Sequence, residues 1–184
     1  MPSIAIERPS SAQPDAKLSC SGPAARRKTG RATKAPAVAP GILVTPAALS
    51  LPEIALLHDR GGRIVVAGDA PVAMSLAELA LPSATRLWVN LRQSAEISRL
   101  LLEAQAEGPI GRLILAPCGD GAADTLAIMR VVLAFLPALR AQGHGEITLI
   151  PSDPASTATL TSFAEGLRPG LADSRIVLTV SAPA

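Results

Sequence analysis

Residues 42–69, ILVTPAALSLPEIALLHDRGGRIVVAGD, carry the pattern that decides the fold. Residues 42–45 are a short apolar run that closes on a Thr-Pro pair. Apolar residues then recur at helical spacing over 51–59, and Gly61 and Gly62 break the series. A second apolar run over 63–67 follows and ends at Gly68 and Asp69. Strand, helix and strand in this order predict two parallel strands joined by a right-handed crossover. Ser50-Leu51-Pro52-Glu53 reads as a capping box at the helix start, with Ser50 as N-cap and Glu53 three positions on.

The alternation continues along the chain. Further strands are expected at 85–90, 112–116, 145–150 and 175–180, and helices at 72–81, 93–107, 122–142 and 155–168. RIVVA, RLILA and RIVLTV read as continuous apolar runs, as suits strands buried on both faces. The expected fold class is α/β, a Rossmann-like doubly wound parallel sheet of about six strands. No internal repeat interrupts it.

Aromatic residues are only 2% of the chain, so the core must be built from Leu, Ile, Val and Ala. The most apolar stretch, 126–139, is interrupted by Arg130 and falls short of the roughly 20 residues a membrane span requires. No transmembrane segment is expected. Residues 1–40 hold seven Lys/Arg against Glu7 and Asp15, with abundant Pro, Ser and Ala and no hydrophobic periodicity. They are expected to be a disordered basic tail before a single domain over 41–184. RRKTGRATK, 26–34, offers a weak site for an anionic partner, nucleic acid or lipid, although a solvated tail is the preferred reading. The tail lacks the continuous apolar core of a secretory signal. Cys20 and Cys118 form no CxxC pair, so reduced thiols and a cytoplasmic location are expected.

In order and spacing these segments resemble the short-chain dehydrogenase/reductase family over nearly all of 41–184. ILVT is similar to the family's first strand, LWVN to the third, RLILAPCG to the fourth with its Asn-Asn-Ala-Gly end, and ITLIPS to the fifth with its catalytic serine. The resemblance implies a nicotinamide dinucleotide, a Thr-Gly-x-x-x-Gly-x-Gly phosphate loop and a Tyr-x-x-x-Lys catalytic motif. Each is altered here. The phosphate loop falls on Thr45-Pro46-Ala47-Ala48-Leu49-Ser50-Leu51-Pro52, where prolines remove donors and fill space that glycines would leave open. Ala116-Pro117-Cys118-Gly119 keeps only the last glycine of Asn-Asn-Ala-Gly. Asp124 stands at the tetrad asparagine, Ser152 matches the catalytic serine, and Asp153 and Thr157 stand for tyrosine and lysine. The chain contains no tyrosine, and no lysine follows Lys34. The family's reduction needs a phenol to protonate the carbonyl oxygen and an ammonium to lower that phenol's pKa. An ionised aspartate has no proton to give. The sequence also closes on the sixth strand, without the substrate loop and seventh strand that the resemblance implies.

No cofactor is therefore expected, with Asp69 the one residue placed to hold an adenosine ribose if any does. The carboxyl rim of the sheet would carry Pro46, Asp69, Asn90, Arg92, Cys118, Asp120, Ser152 and Asp153, acidic on balance and without a metal motif. Cys118 and His144 fall at opposite ends of their strands and form no dyad. Cys118 is expected to be an ordinary buried thiol, and His58 and His144 surface or turn residues.

The helix over 124–142 is apolar around most of its circumference, which predicts burial on two sides. One side covers the sheet. The resemblance implies that the other, with the helix that follows, forms a dimer interface, and Ile128, Val132, Phe135, Leu136, Leu139, Leu160, Phe163 and Leu167 are the expected interface residues. The expected function is that of a non-catalytic association subunit, structural or regulatory, forming a homodimer or a heterodimer with a related protein. The alternative is an NAD(P)-related oxidoreductase or nucleotide-binding module with a rebuilt site.

Overall fold

The computed structural model describes residues 39–50, 62–119 and 121–181. The helix expected over 51–59, with Glu53 and His58, lies outside the described residues, as do Asp120 and the tail over 1–38. The elements run β1 (Gly41–Val44), a 3-10 turn (Pro46–Ser50), β2 (Ile64–Gly68), α1 (Pro71–Ala80), β3 (Thr85–Trp88), α2 (Ser94–Ala106), β4 (Ile110–Leu115), α3 (Ala122–Gln142), β5 (His144–Leu149), α4 (Pro154–Leu171) and β6 (Arg175–Val180). All strand pairs are parallel, in the order β3-β2-β1-β4-β5-β6. β1 therefore sits at the centre, and the order reverses between β1 and β4. In such sheets the crevice beyond the carboxyl ends at that reversal is where ligands bind.

β1 and β2 are buried along their whole length. On one face Leu43, Leu113 and Ile147 meet Leu100 of α2, Phe135 of α3 and Leu160 of α4. On the other face Val44, Val66 and Ile114 meet Met74, Ala77 and Leu81 of α1 and the residue after it. α3 has the length and apolar character of a membrane span. It lies along the sheet, however, with Ile128, Val131, Val132, Phe135 and Leu139 in the core. Gly143 ends it in the left-handed conformation, φ 75°, that glycine adopts without steric cost.

Two expectations need correction. RIVLTV is not buried on both faces: Ile176 is buried, whereas Arg175, Val177 and Thr179 are exposed. α3 and α4 cover one face of β5 and β6, while the other carries polar groups, among them Glu146, which pairs with Arg112 of β4 at 3.1 Å. α4 also continues through Pro169 to Leu171, because Leu171 is buried and holds the last turn against the core.

Candidate functional site

Among the described residues, the carboxyl ends of β1, β2 and β4 are tied together by the chain's own side chains. A hollow of about 610 Å³ opens beside them, between Pro46, Ala47 and Leu49 on one side and Leu76 and Leu79 of α1 on the other. Thr45 follows β1 and is buried. Its hydroxyl donates to the Ala116 carbonyl at 2.8 Å and accepts the Ala116 N–H at 2.7 Å, clasping β1 to the end of β4. The backbone N–H of Thr45 donates to Ile114 O at 3.1 Å. Next to the clasp, the buried ring of Pro46 lies on Gly68 at the end of β2. A methyl group added to Gly68 would stand 2.9 Å from the ring's Cγ and Cδ. Proline here fills the space and removes an N–H that could hold phosphate.

A second closure comes from side chains that the sequence kept apart. Arg92, after β3, bonds Asp124 in the first turn of α3, with Nε and Nη2 each 2.7 Å from Oδ1. The other carboxylate oxygen lies so close to Gly119 that a Cβ there would be 2.5 Å away. The glycine retained from the resembled motif thus makes room for Asp124. Arg130 donates to the Arg92 carbonyl at 3.1 Å, and Asn90 Oδ1 accepts the Arg92 N–H at 3.0 Å. Hydrogen bonding to Asp124 raises the Arg92 pKa further above the guanidinium range. What remains between Asp69, Arg92, Cys118 and Asp124 is a space of about 20 Å³. That is room for about one water molecule, whereas ligand pockets run to roughly 300–1,000 Å³. A nicotinamide dinucleotide does not fit the space between these four side chains.

The expected rim residues divide as follows. Asp69 is exposed beside Arg92 and Asp124. Cys118 is exposed rather than buried, because the chain turns outward after β4. Partial enclosure, then the Asp69 and Asp124 carboxylates, push its thiol up, outweighing the Ala47 N–H and Arg92. It is a thiol, not a thiolate, at neutral pH. His144 opens β5 at the opposite edge of the sheet, with Nδ1 3.1 Å from the Gln142 carbonyl. Among the described residues, no three His, Cys, Asp or Glu side chains gather as a metal site.

Ser152 and Asp153 stand away from this crevice, and their roles are local. Asp153 is the N-cap of α4: Oδ1 accepts the Ser156 N–H at 2.8 Å, and Ser156 Oγ accepts the Asp153 N–H at 3.0 Å. That backbone bond, aided by the Ser152 hydroxyl 3.0 Å away, holds the Asp153 carboxyl below the usual range. Thr157 turns its hydroxyl back onto the Asp153 carbonyl at 2.9 Å. Asp153-Pro154-Ala155-Ser156, a cap followed by proline at the first helical position, is the local signal that reads this way. Reading Asp153 and Thr157 as stand-ins for tyrosine and lysine hides it. Beside this cap, a hollow of about 530 Å³ opens between the starts of α3 and α4, lined by Thr125, Leu126, Met129, Ser156 and Thr159.

Six of the eight expected interface residues are core residues instead. Ile128, Val132, Phe135, Leu136, Leu139 and Leu160 are enclosed within the one chain, because they project from α3 and α4 towards the sheet. Phe163 and Leu167 are part-buried. The outward apolar side chains of α3 are Leu126 and Leu133, 44% and 50% exposed.

No protein-family model matches the sequence, and neither does any curated protein. Solved structures do match its shape. Serine dehydrogenase from Escherichia coli superposes with a TM-score of 0.58 at 20% identity, over 76% of this chain and 80% of that one. An oxidoreductase of the short-chain dehydrogenase/reductase family from Burkholderia thailandensis gives 0.61 at 19%, over 79% and 69%. This chain has the short-chain dehydrogenase/reductase fold. A 3-oxoacyl (acyl-carrier-protein) reductase from Agrobacterium tumefaciens C58, solved with NADP bound, gives 0.60 at 19% identity over 78% and 69%. At these identities the likeness is one of fold.

Proposed function

We propose that this chain is a non-catalytic protein of the short-chain dehydrogenase/reductase fold that works by association, as a structural or regulatory subunit. The observation that carries this reading is the filling of the crevice among the described residues, where the Thr45 clasp, the Pro46 ring and the Arg92–Asp124 pair stand and about 20 Å³ is left between Asp69, Arg92, Cys118 and Asp124. Composition supports it: no tyrosine is present, and the lysines are confined to positions 17, 28 and 34. The association surface is the outward side of α3 and α4, where Leu126 and Leu133 stand above part-buried Met129, Phe163 and Leu167. Its partner is a second copy or a related chain that keeps the motifs this one lacks. The basic tail would add a weak anionic contact, and the free Cys118 suits a reducing cytoplasm.

A rebuilt NAD(P)-related or other site is favoured by two hollows, one of about 530 Å³ beside Asp153 and one of about 610 Å³ lined by Pro46, Ala47, Leu49, Leu76 and Leu79. In the first, the Ser156 hydroxyl is taken up by the cap, and Thr125 and Thr159 donate theirs to the Gly121 and Ala155 carbonyls, which leaves only their oxygen lone pairs to a small ligand. The one titratable group, Asp153, is engaged as a cap and ionised at neutral pH, so it supplies no general acid.

The test is a Leu133→Glu substitution on the full chain. Exposed helix positions of this kind change stability by about 0.5 kcal/mol or less. Far-UV circular dichroism and the thermal midpoint should match the parent, while affinity-captured partner chains should be lost. Capture undiminished by the substitution would contradict the helix-face assignment.

A further inference from the structure

Eight large apolar side chains are exposed among the described residues, and four of them, Val72, Leu76, Leu79 and Trp88, lie in the layer of α1. α1 packs on the sheet through Met74 and Ala77. At about 100° per residue, Val72, Leu76 and Leu79 fall on the side of the helix directly away from that contact, and they are 75%, 59% and 81% exposed. Trp88, 55% exposed, ends β3 with its side chain on the same face of the sheet. It is in register with Gly68, as Arg86 is with Val66, and Arg86 reaches Glu78 of α1 at 3.4 Å. Ser75 and Glu78 are the only polar side chains of α1, and Arg86 answers the charge of Glu78.

We propose that this layer docks on an anionic lipid surface, with Val72, Leu76, Leu79 and Trp88 entering the headgroup boundary and the basic run 26–34 supplying a second attraction. A few apolar side chains hold a bilayer only marginally, and stable attachment takes a second signal such as a polybasic segment. Residues 26–34 contain Arg26, Arg27, Lys28, Arg31 and Lys34, and no acidic residue stands between Asp15 and Glu53. That charge complements anionic headgroups. Tryptophan suits the boundary, its ring apolar and its N–H able to meet water or a headgroup. Nucleic acid would satisfy the basic run but offers the leucines nothing to enter, and α1 has no Lys or Arg to meet a phosphate. α1 lies on the opposite face of the sheet from α3 and α4, so the proposal does not rest on the association reading. A partner held on α3 and α4 would be carried to the membrane.

Co-sedimentation of the full chain with vesicles of equimolar phosphatidylserine and phosphatidylcholine, against phosphatidylcholine alone, tests this. The parent should partition at least roughly tenfold more strongly onto the anionic vesicles. Raising salt from about 0.1 to about 1 M, which shortens the Debye length from about 10 to about 3 Å, should remove that preference. Leu76→Ser with Leu79→Ser should weaken partitioning at least roughly tenfold, with circular dichroism unchanged because both positions are exposed. Arg26→Gln, Arg27→Gln and Lys28→Gln together should weaken it by a similar factor. Trp88 is the chain's one tryptophan, so its emission reports on this layer without any substitution. It should move to shorter wavelength on the anionic vesicles and be quenched by brominated acyl chains. Leu133→Glu, on α3, should bind these vesicles as the parent does, which separates this surface from the helix face tested above. The absence of partitioning, partitioning that leaves Trp88 emission unmoved or survives the two α1 substitutions, or retention by duplex DNA in place of vesicles would each overturn the proposal.

Discussion

Replacing Phe135 by alanine is expected to lower the stability of the domain by about 3–5 kcal/mol, the range for deleting a fully enclosed aromatic side chain. Phe135 has no exposed surface and lies in the core with Leu43, Leu113, Ile147 and Leu160. Domains of this size are stable by only about 5–15 kcal/mol, so a large share of the margin would go. Denaturant unfolding followed by circular dichroism measures it. Leu133, two residues along and half exposed, gives the contrast: its truncation should leave the unfolding midpoint close to the parent's. If Phe135→Ala left stability unchanged yet dispersed the assembly, the inward assignment of this α3 face would be wrong.

Thr45→Val should cost about 2–4 kcal/mol although the two side chains have nearly the same shape. One hydroxyl satisfies both backbone groups of Ala116, a residue only 6% exposed, and valine would leave the N–H and the carbonyl without it. Each unsatisfied buried group costs about 1–3 kcal/mol. Chemical denaturation again reads the loss, and Thr45→Ser should retain most of the stability because the hydroxyl remains. A Thr45→Val protein within about 0.5 kcal/mol of the parent would mean that the clasp contributes nothing beyond ordinary surface positions.

Much of the fold was legible because hydrophobic period and glycine breaks are local properties. The strands over 42–45, 63–67 and 175–180 and the helix over 122–142 emerged close to their observed bounds. RIVLTV misled because valine and threonine suit a strand whether their face is covered or open, and only the placement of α3 and α4 decides which. The interface residues misled for a related reason. A helix apolar all round shows that two sides matter, but not which residues face the sheet. At the crevice, the obstructing Pro46 could be read directly from its chemistry. The Arg92–Asp124 pair could not, since 32 positions separate the partners and the fold alone brings them together. The Thr45 clasp spans 71 positions and leaves no mark on the sequence.

Calorimetric titration of the full chain with NADH and with NADPH tests the closed crevice most directly. Carried to about 1 mM, the upper end of ordinary enzymatic KM values, it should give no saturable heat with either dinucleotide. Saturable binding of one equivalent per chain, weakened by a change at Asp69 or enhanced by Pro46→Gly, would contradict the account.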